Sequence, residues 1–168
     1  MDMHLRQMAT AFIFHDDRVL MMKRSSNRLF QFEFWSGIGG HMEPEEINHP
    51  LEACLREIRE ESGLEPHDIA DFSLRYILLR LKEDEIRQQY VYFGRTSRKE
   101  YITSDEGELS WIKQEELLKL HLSTNNRLML EDYFQHPGST DVKVGTIAIS
   151  AEGEPFIQWA LLKDPLIF

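Results

Sequence analysis

"GGHMEPEEINHPLEACLREIREESGL", residues 39–64, decides the reading of this 168-residue chain. Seven of these residues are glutamates, and Glu57, Glu60 and Glu61 fall within five positions. Residues 49 to 62 read as a helix. Leu51, Cys54, Leu55 and Ile58 recur at the i, i+3, i+4, i+7 spacing of a half-buried face. Asn48 or His49 suits the N-cap, Pro50 the first turn and Gly63 the position just past the end. The three acids form a second stripe, centred roughly 115° from the apolar one at 100° per residue. Glu61 therefore borders the buried face and Glu60 lies further out.

Such crowding has a cost. Two unit charges about 5 Å apart repel by roughly 3 kcal/mol at an effective dielectric of ~20. Arg56 stands four residues before Glu60 and relieves part of this. The surplus points either to protonated carboxyls with coupled titrations or to a bound hard cation. A solvated acidic face is the plainer explanation for the helix taken alone.

The rest of the chain narrows the choice. A length of 168 residues fits one domain, 1–168, and 42% hydrophobic content supplies a core. The net charge of −10 disfavours a binder of long nucleic acid but leaves phosphorylated small molecules open, since a dication reverses the local field. Cys54 is the single cysteine, so no internal disulfide forms. No apolar run is long enough for a signal peptide or a membrane span, and the cytoplasm is the expected location.

Strand signals surround the helix. "MATAFIF" (8–14) and "RVLMMKR" (18–24) flank "HDD" and read as a hairpin. Residues 25–34 read as a loop entering a short extended piece, and "WSGIGGHMEPEE" (35–46) as turns. Two strands follow at 72–82 and 87–96, then one at "ELSWIK" (108–113). "QEELLKL" and "NNRLMLEDYFQ" read as helices, and "VKVGTIAIS" and "PFIQWALL" as a closing hairpin. Strands and helices without regular alternation predict a mixed sheet, α/β or α+β.

Arg56-Glu57-Ile58-Arg59-Glu60-Glu61-Ser62-Gly63-Leu64 matches R-E-U-x-E-E-x-G-U, with U aliphatic, the second half of the Nudix box. Gly40 and Glu46 match its opening G-x5-E. The chain thus resembles the Nudix hydrolases over roughly residues 8 to 135. The resemblance implies a Nudix fold, a mixed β-sheet sandwiched between helices, here with an extra C-terminal β-hairpin. The box departs at one place. Nine residues separate Glu46 from Arg56 where the family has seven, which places a two-residue insertion in "EPEEINHP" and leaves Glu46, Glu45 and Glu43 as candidates for the first glutamate.

The resemblance also implies roles. Glu57, Glu60 and Glu61 ligate Mg²⁺ or Mn²⁺, joined by the main-chain carbonyl of Gly40. Arg56 orients a catalytic carboxylate. Glu60, with Glu57 close behind, is the general base. A later acid completes the site, and of Glu106 and Glu108 the second is preferred. Lys23, Arg24, Trp35, Gly39 and His41 fall on the substrate side. Phe34, Trp35, Phe93 and Trp111 either stack on a base or pack in the core. Cys54 reads as a small buried hydrophobe.

Family members split a diphosphate linkage in a nucleoside diphosphate derivative. "FWSGIGGHM" resembles the segment of members that act on oxidised purine nucleoside triphosphates, so the expected substrate is a deoxynucleoside triphosphate, oxidised or not, cleaved to monophosphate and pyrophosphate. ADP-ribose or a nucleotide sugar is the alternative within the enzyme class. A non-catalytic nucleotide-sensing module is the alternative outside it. The closing hairpin either covers the substrate or pairs with a second copy as a homodimer.

Overall fold

The computed structural model describes residues 2–25 and 33–166. Nine strands form one mixed sheet: β1 (His4–His15), β2 (Arg18–Ser25), β3 (Glu33–Ser36), β4 (Ile38–His41), β5 (Ile69–Lys82), β6 (Glu85–Thr96), β7 (Glu108–Lys113), β8 (Lys143–Ile149) and β9 (Pro155–Leu161). The main path runs β3-β2-β1-β6-β5-β8-β9, with β4 on β1 and β7 on β2. The β1–β6 and β5–β8 pairs are parallel and the others antiparallel. Helices α1 (Pro50–Ser62) and α2 (Thr124–Gln135) belong to opposite faces.

Strand alternation builds both cores. Ala9, Ala11 and Ile13 of β1 face α1, where they join Cys54 and Ile58. Phe12 and Phe14 face the other way, toward Met129 and Leu130 of α2. A strand buried on both sides reads as a continuous apolar run, as "MATAFIF" does. The alanines leave room for the helix, whereas the α2 side is filled by rings: Phe93 stacks on Tyr133 with centroids 4.1 Å apart and on Phe12 at 5.3 Å. Phe93 is therefore a core residue rather than a base-stacking platform.

Several expectations need correction. The first hairpin is paired only at its root, Phe14 with Val19 and His15 with Arg18, because β1 then pairs with β4. The glycine-rich segment 35–46 is not a series of turns. It holds the second half of β3 and all of β4, and a Cβ on Gly39 would overlap the Ala9 carbonyl of β1. Glycine serves close strand approach here, although the same residue type signals a turn. "QEELLKL" gives a 3-10 helix, Gln114–Lys119, being too short between a strand and the next cap to sustain an α-helix. The expected loop at 25–34 falls partly on residues 26–32, outside the described residues; residues 33–36 are β3.

The C-terminal hairpin widens the sheet rather than covering α1. Strand β8 runs parallel to β5, from Tyr76 opposite Lys143 to Leu79 opposite Thr146. A buried polar knot fastens it to α2. Asp132, 7% exposed, accepts a hydrogen bond from Tyr76 Oη at 2.9 Å and from Lys143 Nζ at 2.8 Å. Removing Asp132 would leave a largely desolvated ammonium unpaired. Asp132→Ala is expected to cost about 3 kcal/mol in urea unfolding, against about 1 kcal/mol for Tyr76→Phe.

Candidate active site

Helix α1 begins after His49, whose side chain makes no cap bond, and ends at Gly63 with φ 74°, the left-handed conformation of a C-terminal cap. Its buried set is Ala53, Cys54, Ile58, Glu61 and Ser62, while Leu51 is 40% exposed. The buried face is thus rotated by roughly 45° from the apolar stripe, toward the acids. That rotation buries Glu61 to 2% exposure and leaves the Glu60 side chain 53% exposed.

Two guanidiniums neutralise the acids. Arg56 forms a fork on Glu46, Nε donating to Oε1 at 2.6 Å and Nη2 to Oε2 at 2.9 Å. Its Nη1 donates to Glu57 Oε1 at 3.1 Å and to Glu60 Oε2 at 3.0 Å. Glu46, rather than Glu43 or Glu45, is therefore the partner of Arg56. A 3-10 turn, Pro44–Glu46, in which the Glu43 N–H donates to Glu46 Oε2, positions Glu46, and the two added residues are taken up after it, in the turn at Ile47 and Asn48 closed by the His49 N–H on the Glu46 carbonyl. The Arg56 guanidinium holds the Glu46 carboxyl below its ordinary range.

Arg24 does the same for Glu61. Its Nη2 donates to Glu61 Oε1 at 3.1 Å and to the Gly39 carbonyl at 2.9 Å, and its Nε donates to Ser36 Oγ at 3.0 Å. The Gly39 N–H donates to Glu61 Oε2 at 3.1 Å. Arg24 therefore joins β2, β3, β4 and α1, a role that a phosphate-contact reading from the sequence did not anticipate. Burial pushes Glu61 up to about 7 despite Arg24, and the neighbouring Glu57 charge adds to the rise. Burial likewise raises Glu57.

The donor set suits a hard dication. Carboxylates and a carbonyl are the ligands that Mg²⁺ takes. Strand β4 lies so close to α1 that a Cβ on residue 40 would come within 2.7 Å of Glu57 Oε1. Only glycine lets that carboxylate lie beside the strand backbone. Among the described residues, no three acids, histidines or cysteines already stand at metal-holding separation. In this arrangement the arginine forks engage the carboxylates.

The remaining candidates are divided between the two faces. Leu109 packs in the α1-side core, so alternation turns Glu108 to the other face, opposite Lys23 in the β2–β7 ladder. Glu106 meets the arginine that pairs with Glu61, its Oε2 accepting from Arg24 Nη1 at 3.4 Å. In the ladder with β2, Glu108 is thus out of step with Leu109, while Glu106 meets Arg24. Lys23 pairs with Glu33 at 2.9 Å, and with Glu108, Asp105 and Glu106 it lines a polar cleft of about 270 Å³. Trp35 packs on the α2-side core, and the Trp111 Nε1–H donates to the Lys99 carbonyl. His41 ends β4 beside Arg6, in an open cleft of about 600 Å³ that the lengthened loop helps to line through Pro44 and Ile47.

On the α2 face lies a feature the sequence reading missed. Arg80, Arg87, Gln89 and Asn125 line a small crevice with Met8, Leu78 and Ile147. Arg80 Nε and Asn126 Oδ1 are buried without a hydrogen-bond partner. Their signal in sequence is faint: alternation along β5 and β6 places Arg80, Arg87 and Gln89 on one face, but nothing local ties them to the start of α2.

The model of the NUDIX domain family matches residues 4–133. Solved structures of the same fold include a MutT protein from Bacillus halodurans, 22% identical, with a TM-score of 0.69 over 95% of this chain and 99% of that one. A MutT protein from Methanosarcina mazei Go1 is 21% identical, with a TM-score of 0.66 over 80% and 96%. The NUDIX domain of Shewanella oneidensis NrtR, solved with ADP ribose, is 16% identical, with a TM-score of 0.61 over 80% and 88%. Among curated protein sequences none matches significantly.

The elevated Glu61 carboxyl makes a signed prediction. Its native pKa of about 7 exceeds the ordinary 4.5, so the folded state holds a proton that the unfolded chain releases between those values. In EDTA, stability is expected to fall as pH rises through that window, by about 3 kcal/mol from this group. Urea titrations comparing the wild type with Glu61→Gln should find a markedly smaller fall in the variant, where the raised Glu57 carboxyl still contributes.

Proposed function

The chain belongs to the NUDIX family as a Nudix hydrolase, an enzyme that splits diphosphate linkages in nucleoside diphosphate derivatives, and on that premise we propose that its substrate is a deoxynucleoside triphosphate, oxidised or unoxidised, cleaved to monophosphate and pyrophosphate. The observation that carries the reading is the Arg56 fork. Arg56 Nη1 holds Glu57 and Glu60 on α1, with Glu57 next to the strand backbone at Gly40. A sensing module needs no such arrangement.

Glu57, Glu60, Glu61 and the Gly40 carbonyl would hold Mg²⁺ or Mn²⁺. When bound, the dication supplies charge neutralisation for the phosphate oxygens and acidifies a bound water. The residues of the chain do the rest. Arg56 orients Glu57 and Glu60. Glu60, the solvent-facing acid of the three, takes the proton from the attacking water as general base. Glu61, buried against Gly39 and Arg24, keeps bulk water from the inner side of the site.

ADP-ribose remains in the test panel because a protein of the same fold, the NrtR domain, binds it.

Pyrophosphate release from a panel of nucleoside triphosphates, with ADP-ribose and nucleotide sugars alongside and Mg²⁺ set against EDTA, tests the proposal. Triphosphates are expected to turn over fastest, and only with metal. Glu60→Gln is expected to lower kcat by about 10²- to 10⁴-fold with the fold intact, the usual worth of a general base. Glu46→Ala, which frees the Arg56 fork without touching substrate, is expected to lower kcat and leave KM nearly unchanged. Unaltered turnover in Glu60→Gln removes that residue from the mechanism.

A further inference from the structure

The register of three adjacent strands sets Arg6 of β1 opposite Arg87 of β6, and Arg87 opposite Arg80 of β5. Residues opposite one another share a face of the sheet. Arg6 is in step with Phe12 and Phe14, Arg87 with Val91 and Phe93, and Arg80 with Tyr76 and Leu78, all of the α2-side core. Three guanidiniums therefore leave one face from neighbouring strands about 4.8 Å apart.

Like charges directly opposite one another destabilise a sheet. Among the described residues one carboxylate, Glu85, pairs with this row, in a chain whose net charge is −10. It accepts from Arg6 Nε at 2.7 Å and from Arg87 Nε at 2.6 Å. Arg80 Nε is buried without a hydrogen-bond partner. Burial and the Arg87 charge both lower the pKa of Arg80. Packing against Leu78 and Ile147 would be served by methionine at position 80, with no charge to desolvate. At its other end the row approaches the acidic helix. Arg6 Nη1 lies 3.3 Å from His41 Nε2, and His41 follows Gly40, the residue beside Glu57.

We propose that Arg6, Arg87 and Arg80 form a binding site for a phosphoryl group, which takes donors from more than one guanidinium and offsets their mutual repulsion. Planar guanidinium forks match phosphate oxygens in pairs, and a charge-assisted bond would satisfy the orphaned Nε. The group comes either from free phosphate or pyrophosphate, or from a nucleotide phosphate remote from the linkage that is split; the second source alone rests on the hydrolase reading. Neither needs a dication, since the row supplies the positive charge.

Pyrophosphate titrated calorimetrically into the wild type in EDTA tests the site, because without metal the acids of α1 repel phosphates. Saturable binding is expected, and Arg80→Met and Arg6→Gln are each expected to weaken it by about 10- to 100-fold, the usual effect of losing a hydrogen bond to a charged group. Arg6 is half exposed, so its replacement leaves the core intact. In phosphate-free buffer Arg80→Met should melt no lower than the wild type, having lost a repelled charge, but pyrophosphate should no longer raise its Tm as it raises that of the wild type. Deoxyadenosine 3′,5′-bisphosphate set against deoxyadenosine 5′-monophosphate assigns the source. An Arg80-dependent gain from the second phosphate marks a nucleotide phosphate; equal affinities, with pyrophosphate bound, mark the free anion. A wild type that binds neither pyrophosphate nor the bisphosphate in EDTA overturns the proposal, as does binding that both variants leave unchanged. No arm reads turnover, so the result stands whether or not triphosphates are split.

Discussion

The fork of Arg56 on Glu46 is the contact on which the rest of the site depends. Four acids, Glu46, Glu57, Glu60 and Glu61, converge around one end of a sheet, two of them with carboxyls raised by burial. Without compensation their repulsion would drive the helix outward. A planar guanidinium with five donors meets three of these carboxylates at once, which a lysine ammonium could not do with the same fixed geometry. Arg24 completes the compensation from the strand side. The cation-binding character of the helix is thus built on fixed positive charge that holds the acids in place.

That arrangement requires close approach. Helix α1 rests on alanines of β1 and on the glycine strand β4, and a side chain at residue 40 would displace Glu57. Small residues under the helix and large rings on the opposite face are two sides of one design. The α2 face, filled by Phe12, Phe14, Phe93 and Tyr133, stiffens the sheet, so that the α1 face can hold charged groups at fixed positions. The Asp132–Lys143–Tyr76 knot extends the stiffened region to the C-terminal hairpin, which leaves β9 as an ordered edge.

The two-residue insertion shows where the fold tolerates change. Chain length was added between Glu46 and α1, where the turn at Ile47 and Asn48 takes it up while Glu46 keeps its hold on Arg56. The same loop places Pro44 and Ile47 over the cleft beside His41. Loop closure costs grow slowly with length, so such an insertion reshapes a rim without disturbing the helix behind it.

Read alone, the sequence determined the mixed sheet, the helix read over residues 49–62 with its Gly63 cap, which the structure starts one residue later at Pro50, and the acidic stripe with Arg56, because each is written in local spacing. It also ordered the acids by depth, Glu61 inside and Glu60 outside. What it left open, or set wrongly, required knowing which backbones come together. Glycines read as turns were a strand pressed against β1. Leu51 read as buried because the apolar stripe was centred without knowing where β4 would lie. The partner of Arg56 had three candidates until the turn was folded. Glu108 was preferred to Glu106 before the ladder with β2 set it opposite Lys23 and the chain brought Glu106 to Arg24. The Arg24–Glu61 contact joins residues 37 positions apart, and the crevice beside Asn125 brings together β5, β6 and the start of α2. Local periodicity sets elements, but only tertiary packing decides which charges share a space, since electrostatic and steric contacts act through distance and not along the chain.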